Sequence, residues 1–326
     1  MFLVSSRIIE RFGTRATLLA GLPLMAIALL LMAVAPHWLG LAAAVAVFSA
    51  LFALTNVAMN VEADRVEAAT GRRLMNTCHG LWSIGQLAVF LGGVLARGLA
   101  VPVVLHFGLL VPILVVATAV VLVPMQQAPA RSHAGSLERP LALPSRATLR
   151  LLGFMIGGAL VEAATRTWSV IYARDSFVAP DWAEALPLPV FVAAIAAGRF
   201  FADGWTGRHG PAAVGRALLV VALVGLVAVV FAPSLPLALI GFALMGFGIC
   251  TSFPASTSAA AQLGDRPSSQ NVAALTLSVQ AVMLGAPPLM GFIAESFGIR
   301  ATFGAVLPVL GLALLLAGAL EPRRVR

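Results

Sequence analysis

The 326-residue chain is 60% apolar and only 10% charged, against roughly 45–50% and 25% in soluble domains, which excludes a water-soluble globular protein. Its formal charge is +8 and all 21 basic residues are arginine, so a nucleic-acid partner must be tested against where those arginines lie. The two cysteines, Cys78 and Cys250, form no CxxC pattern; both fall in apolar segments and are expected to be buried, with no disulfide framework or metal knuckle.

The first fifteen residues carry Arg7, Arg11 and Arg15 after a four-residue apolar start. They read as a loop, and the apolar run is too short for a cleavable signal. A transmembrane helix needs about 20 predominantly apolar residues. Ten such stretches follow, at 16–34, 38–60, 74–97, 102–123, 147–172, 183–204, 213–232, 235–258, 268–292 and 299–319. Glycine and proline recur inside them, as in Gly285-Ala286-Pro287-Pro288, which membrane helices tolerate. No ten-residue alternation typical of barrel strands appears, so an all-α integral membrane protein is predicted.

Arginines in alternate loops set orientation. One side carries Arg7, Arg11, Arg15, Arg65, Arg72, Arg73, Arg131, Arg139, Arg146, Arg150, Arg199, Arg208, Arg216, Arg266, Arg323, Arg324 and Arg326, which is 17 of the 21. The other side carries Arg97, Arg174 and Arg300, and Arg166 lies within a span. The asymmetry predicts that both chain ends are cytoplasmic and accounts for the positive charge without nucleic acid. Residues 124–146, rich in proline, serine and arginine, read as a cytoplasmic linker. They separate a bundle of four spans (1–123) from one of six (147–326).

The two parts repeat. RFG at 11–13 resembles RHG at 208–210, and Ala35-Pro36 resembles Ala232-Pro233, both with a shift of 197. Two similar halves joined by a linker are a transporter design in which the solute site lies where the repeats meet. Carried backwards, the shift places the counterpart of the fifth span about fifty residues ahead of Met1. The sequence therefore predicts a twelve-span plan without its first helix and most of its second, through either a misassigned start or a real truncation.

GRFFADGWTGRHGPAAVGR (198–216) resembles, with looser spacing, the loop signature G-x-x-x-D-x-x-x-x-R-x-G-R of the major facilitator superfamily (MFS). ERFGTR (10–15), NVAMNVE (56–62), CHGLWSIG (78–85), VEAATRTW (161–168), GICTSFPASTSAA (248–260) and GAPPLMGFIAESFGIRATF (285–303) are similar to the YbjJ-like, fucose permease-like branch of that superfamily. The resemblance implies a secondary transporter in the bacterial inner membrane. It would move a small solute by alternating access, with proton coupling expected, no cofactor, and a monomer as the default. Sugar or metabolite uptake and drug or metabolite efflux both fit, as does a truncated, non-transporting membrane protein.

Five residues are assigned to the solute cavity. Glu162 and Arg166 are spaced i, i+4 on the fifth span, Glu162 about 18 Å beyond Arg150 at 1.5 Å per residue. A charge at that depth costs at least about 2.5–3.5 kcal/mol and normally faces a cavity or a partner. The two residues form either a self-neutralising pair or a polar patch in the cavity. Trp168 offers a plane for stacking or for packing. Asn56 and Asn60 share a face of the second span; in the fucose permease the resembling motif reads E-T-A-A-N-P, and its glutamate falls on Asn56, which cannot titrate. Glu162 and His79 are the candidates for proton coupling, with a structural hydrogen bond the alternative for His79. Arg11, Gly13, Arg15, Asp203, Arg208 and Gly210 are assigned to a cytoplasmic latch, the alternative being solvated, topology-setting loops. Ser6 stands at the first-half equivalent of Asp203.

Glu62 and Asp64 sit at the cytoplasmic end of their span and suit a gate or interface role. Glycines 80, 85, 92, 93, 241, 246 and 248 are expected to let helices approach. A membrane enzyme would need histidines or carboxylates clustered at ligand spacing. His37, His79, His106, His133 and His209 are instead scattered, with no metal pattern, and no soluble domain supports a sensor or scaffold.

Overall fold

A computed structural model describes residues 2–70, 75–128, 144–265 and 268–321. The regular elements among these residues are all helical, as an apolar environment requires when every backbone group must be satisfied within its own segment. In chain order the helices are α1 (Phe2–Ala33), α2 (Trp38–Thr70), α3 (Met75–Gly98), α4 (Val103–Leu122), α5 (Arg146–Ser176), α6 (Asp181–Glu184) and α7 (Pro187–His209). They continue with α8 (Pro211–Phe231), α9 (Leu235–Ile249), α10 (Ser252–Ala261), α11 (Ser268–Phe297), α12 (Ile299–Gly304) and α13 (Leu307–Leu316). Eight helical stretches are long and apolar enough to cross a membrane, and two shorter apolar ones, Ile84–Gly98 and Pro187–Ala202, stand at the two remaining spans read from the sequence.

Three boundaries differ from expectation. The arginine-rich opening is helical rather than a loop, and the break falls at a single residue, Gly13, at φ 80, ψ 162. The span expected at 235–258 is interrupted: α9 ends at Ile249 and α10 begins at Ser252. The last span is divided into α12 and α13. Cys78, expected to be buried, is exposed, whereas Cys250 is buried. Membrane-length apolar composition does not by itself decide which face of a helix meets protein.

The chain divides into two compact units, residues 1–86 with 99–135, and 87–98 with 136–326. In the first, α1 packs on α2 and α4 around Ile9, Leu18, Ala58 and Leu122; Leu122 is the only buried residue of α4. In the second, α5 runs through the centre and contacts α7, α9, α10, α11, α12 and α13. Its Leu151, Phe154, Val161, Ala164 and Tyr172 are fully enclosed. Around Tyr172, Phe177, Phe242 and Phe303 stand edge-on at 5.6, 5.6 and 5.1 Å, the offset geometry that aromatic quadrupoles favour. The Tyr172 hydroxyl donates to Val229 O at 2.6 Å. Helices α8 and α9 touch backbone to backbone: a Cβ at Gly225 would lie 2.6 Å from Gly241 O, and one at Gly241 2.8 Å from Gly225 O. By contrast, a Cβ at Gly85, Gly92 or Gly93 meets nothing within 4 Å, so the close approach expected at these α3 glycines is absent.

Candidate functional site

In the second unit, α5 carries Glu162 and Arg166 on one face, as 3.6 residues per turn dictates. Arg166 Nε donates to Glu162 Oε1 at 2.8 Å, and the two side chains are 34% and 40% exposed. Both charges thus remain reachable from outside the helix packing while neutralising each other. Trp168, half a turn on, packs the edge of its ring against α11: its Cη2 and Cζ2 stand 3.4 Å from where a Gly291 Cβ would be. The indole Nε1 and the Ser169 hydroxyl beside it are buried without a hydrogen-bond partner.

Trp168 also lines a cavity of about 730 Å³ where α5, α11 and α12 end or begin, together with Asp175, Ser176, Gly291, Glu295, Gly298 and Arg300. Arg300 is committed to packing there. Its guanidinium lies 5.3 Å from the Phe177 ring and 5.9 Å from that of Tyr172, and donates to Val230 O at 3.2 Å.

The helix interruption after Ile249 leaves carbonyls without helical partners. One of them, Cys250 O, accepts from Arg199 Nε of α7 at 3.4 Å. The sequence signal for this role is an arginine between apolar runs in IAAGRFF.

In the first unit, Asn56 and Asn60 are both half-buried and bonded to each other. Asn60 Nδ2 donates to Asn56 O at 2.8 Å and to Asn56 Oδ1 at 3.1 Å. One end of that unit holds a polar knot. Glu62 accepts from Thr14 Oγ1 at 2.5 Å and from Ala128 N at 2.8 Å. With its amide oxygen turned inward, Gln127 accepts from Arg15 N at 2.7 Å and Thr14 N at 3.2 Å. Arg15 donates to Leu122 O at 2.8 Å and to Val123 O, the carbonyl end of α4, where a cation also opposes the helix dipole.

Of the other residues assigned to a latch, Arg11 stacks on Phe12 at 5.4 Å and Arg208 is exposed. Gly210 repeats the Gly13 conformation at φ 81, ψ 155. The side chains of His79, Asp203, Ser6 and Asp64 lie outside the described residues.

Buried and lipid-length helices in two bundles, with an ion pair, paired amides and an interrupted helix inside the spans, define a polytopic α-helical membrane protein. The family model described as Major Facilitator Superfamily matches residues 1–277 and 185–326, and the chain belongs to that superfamily. It is 29% identical to "Uncharacterized transporter y4wD" of Sinorhizobium fredii (strain NBRC 101917 / NGR234), over 98% of this chain and 84% of that protein. It is 28% identical to an uncharacterized MFS-type transporter of Yersinia pestis, over 91% and 76%. It is also 29% identical to membrane protein MosC of Rhizobium meliloti, over 88% and 70%. Among solved structures, the fold is that of the E. coli fucose:proton symporter FucP, with a TM-score of 0.60 at 15% identity, covering 97% of this chain and 86% of that one. The chain is thus a multi-pass membrane protein of a transporter family, and its relatives are transporters rather than enzymes.

Proposed function

We propose that the protein is a proton-coupled secondary transporter that moves a small solute across the bacterial cytoplasmic membrane by alternating access. The observation that carries this reading is the Glu162–Arg166 pair on α5, 2.8 Å apart and partly exposed within a membrane-length helix. Ionisable groups inside a span mark solute or proton pathways by default. Protonation of Glu162 removes the acceptor charge that holds Arg166 Nε, freeing a guanidinium to meet an oxygen of the solute. Loading a proton and loading a solute then become one event. The half-buried Asn56–Asn60 amides supply neutral hydroxyl-binding groups, and Trp168 supplies an aromatic plane. The name of the structural neighbour FucP, a fucose:proton symporter, accords with such coupling.

With both chain ends cytoplasmic, the breaks at Gly13 and Gly210 face the cell interior, and Arg11, Arg15, Asp203 and Arg208 lie at the conformational latch there. In proteoliposomes, an imposed pH gradient should drive accumulation of at least one solute from a panel of sugars and metabolites. Glu162→Gln should abolish gradient-driven accumulation while leaving solute exchange in the absence of a gradient. Undiminished gradient-driven uptake by that variant would refute the coupling role.

A further inference from the structure

Within the second unit, the turn between α11 and α12 keeps two opposite charges apart. Glu295 lies in the last turn of α11 and Arg300 in the first of α12, with Gly298 at φ 86, ψ 160 between them. The two make no ion pair with each other. Arg300 is drawn the other way, because its Nη1 donates to Val230 O at 3.2 Å and its guanidinium lies 5.3 Å from the Phe177 ring and 5.9 Å from that of Tyr172. That leaves the Arg300 Nε and Nη2 donors and the Glu295 carboxylate without a partner among the described residues.

Both side chains line the cavity of about 730 Å³ that Trp168, Ile171, Asp175 and Gly291 also border, within the roughly 300–1,000 Å³ of small-molecule sites. Gly291 has no side chain, so the six-membered ring of Trp168 is left open to the cavity; a Cβ there would stand 3.4 Å from Cη2 and Cζ2. Asp175 is already compensated, since its Oδ1 accepts from Arg174 Nε at 2.8 Å. What remains is one unpaired carboxylate and one open arginine fork, beside an aromatic plane. Asp175 stands 175 minus 162, or 13, residues past Glu162, about 20 Å along α5 at 1.5 Å per residue, so this charged end is separate from the Glu162–Arg166 pair.

We infer that this cavity binds an amino-acid zwitterion. The carboxylate of the ligand takes the Nε–Nη2 fork of Arg300, the geometry in which a guanidinium donates two parallel bonds. The ammonium donates to Glu295 and lies against the Trp168 ring, whose face attracts a cation. An apolar side chain then rests on Ile171. A ligand with only one of the two charges leaves the other wall unpartnered, which is how a polar site rejects an incomplete analogue. The inference concerns a binding site and does not depend on proton coupling.

Equilibrium binding of radiolabelled glycine, L-leucine and L-phenylalanine to the purified full chain in lipid nanodiscs tests this. At least one of them should bind saturably. Analogues that keep a single charge, isoamylamine and isocaproate in the case of L-leucine, should compete at least about tenfold more weakly, the low end for a hydrogen bond to a charged group. Glu295→Gln, at an exposed position, should weaken binding by a similar factor, and Gly291→Leu should abolish it by filling the cavity beside Trp168. If Gly291→Leu fails to fold, Gly291→Ala replaces it, its Cβ at 3.4 Å from the indole, and should give a smaller loss. The inference is overturned if none of the three amino acids binds, if the single-charge analogues compete equally, or if a folded Glu295→Gln variant binds as the parent does. Loss of binding in Glu162→Gln but not in Glu295→Gln overturns it too, by placing the ligand at the α5 ion pair. Because the assay reads binding alone, its failure leaves the coupling reading to the gradient-driven uptake assay.

Discussion

The breaks at Gly13 and Gly210, separated by the repeat shift of 197, have nearly the same backbone, φ 80, ψ 162 against φ 81, ψ 155, yet different surroundings. At Gly13 the following helix starts with Thr14 and Arg15, whose free N–H groups go to Gln127, and buried Glu62 ties Thr14 to the segment after α4. At Gly210 the following helix starts with Pro211, which has no N–H to satisfy. The position matching Glu62 is Ala259. What stays constant between the repeats is therefore what only glycine can adopt. The orphan donors of a helix start can be met by an acceptor or removed by proline, and each half uses one of these solutions.

A second contrast lies within the second unit, where α8 closes on α9 through bare backbone at Gly225 and Gly241, whereas Gly92 of α3 faces open space. Gly241→Leu should thus have the largest effect, a loss of about 3 kcal/mol or more, since backbone atoms cannot yield as side chains do. Gly92→Leu should stay within about 0.5 kcal/mol. Unfolding of each purified variant in micelles checks the pair, and equal losses would erase the distinction between the two surfaces.

Gly13→Ala and Gly210→Ala should each cost about 1–3 kcal/mol for the glycine-only conformation. The Gly13 variant should lose more, because its Cβ would stand 2.6 Å from the Gln127 amide and displace its bonds. Equal shifts in unfolding midpoint would mean that the Gln127 contacts contribute nothing. Glu62→Ala should cost about 1–3 kcal/mol by leaving the Thr14 hydroxyl and Ala128 N–H unpaired. Limited proteolysis of the segment after Val123 should accelerate in that variant. Smallest is Pro211→Ala, at about 0.4–1 kcal/mol through the freedom it restores to the unfolded chain; a larger loss in the same unfolding assay would show that Pro211 also makes packing contacts that matter.

Several features are legible in the sequence. Span lengths placed the ten membrane stretches, since hydrophobic length is a local property, and RFG against RHG marked the repeat with its shift of 197, whereas the backbone breaks at Gly13 and Gly210 belong to the fold alone. The opening has the composition of a loop, with three arginines in fifteen residues, yet it is helical. Its helix is explained by the burial of Ser5 and Ile9, a tertiary fact. The sequence holds a further echo: E-x-F-G-x-R-A-T occurs at 10–17 and again at 295–302. In both copies the glycine has positive φ, and the arginine, Arg15 or Arg300, donates to carbonyls at the end of another helix. The shared motif thus marks both arginines as helix-end caps.

The sequence by itself determined the class, the spans and the i, i+4 spacing that pairs Glu162 with Arg166. Each of these depends on hydrophobic length, charge placement or helical spacing, which are local properties. Only the tertiary structure decided that α9 stops at Ile249 with Arg199 on the freed Cys250 carbonyl, that Glu62 knots the first unit, and that Arg97 finds Glu184 across 87 residues of chain. Those contacts join side chains that no periodicity relates, and they form because a buried charge or an orphan carbonyl must find a partner wherever packing brings one.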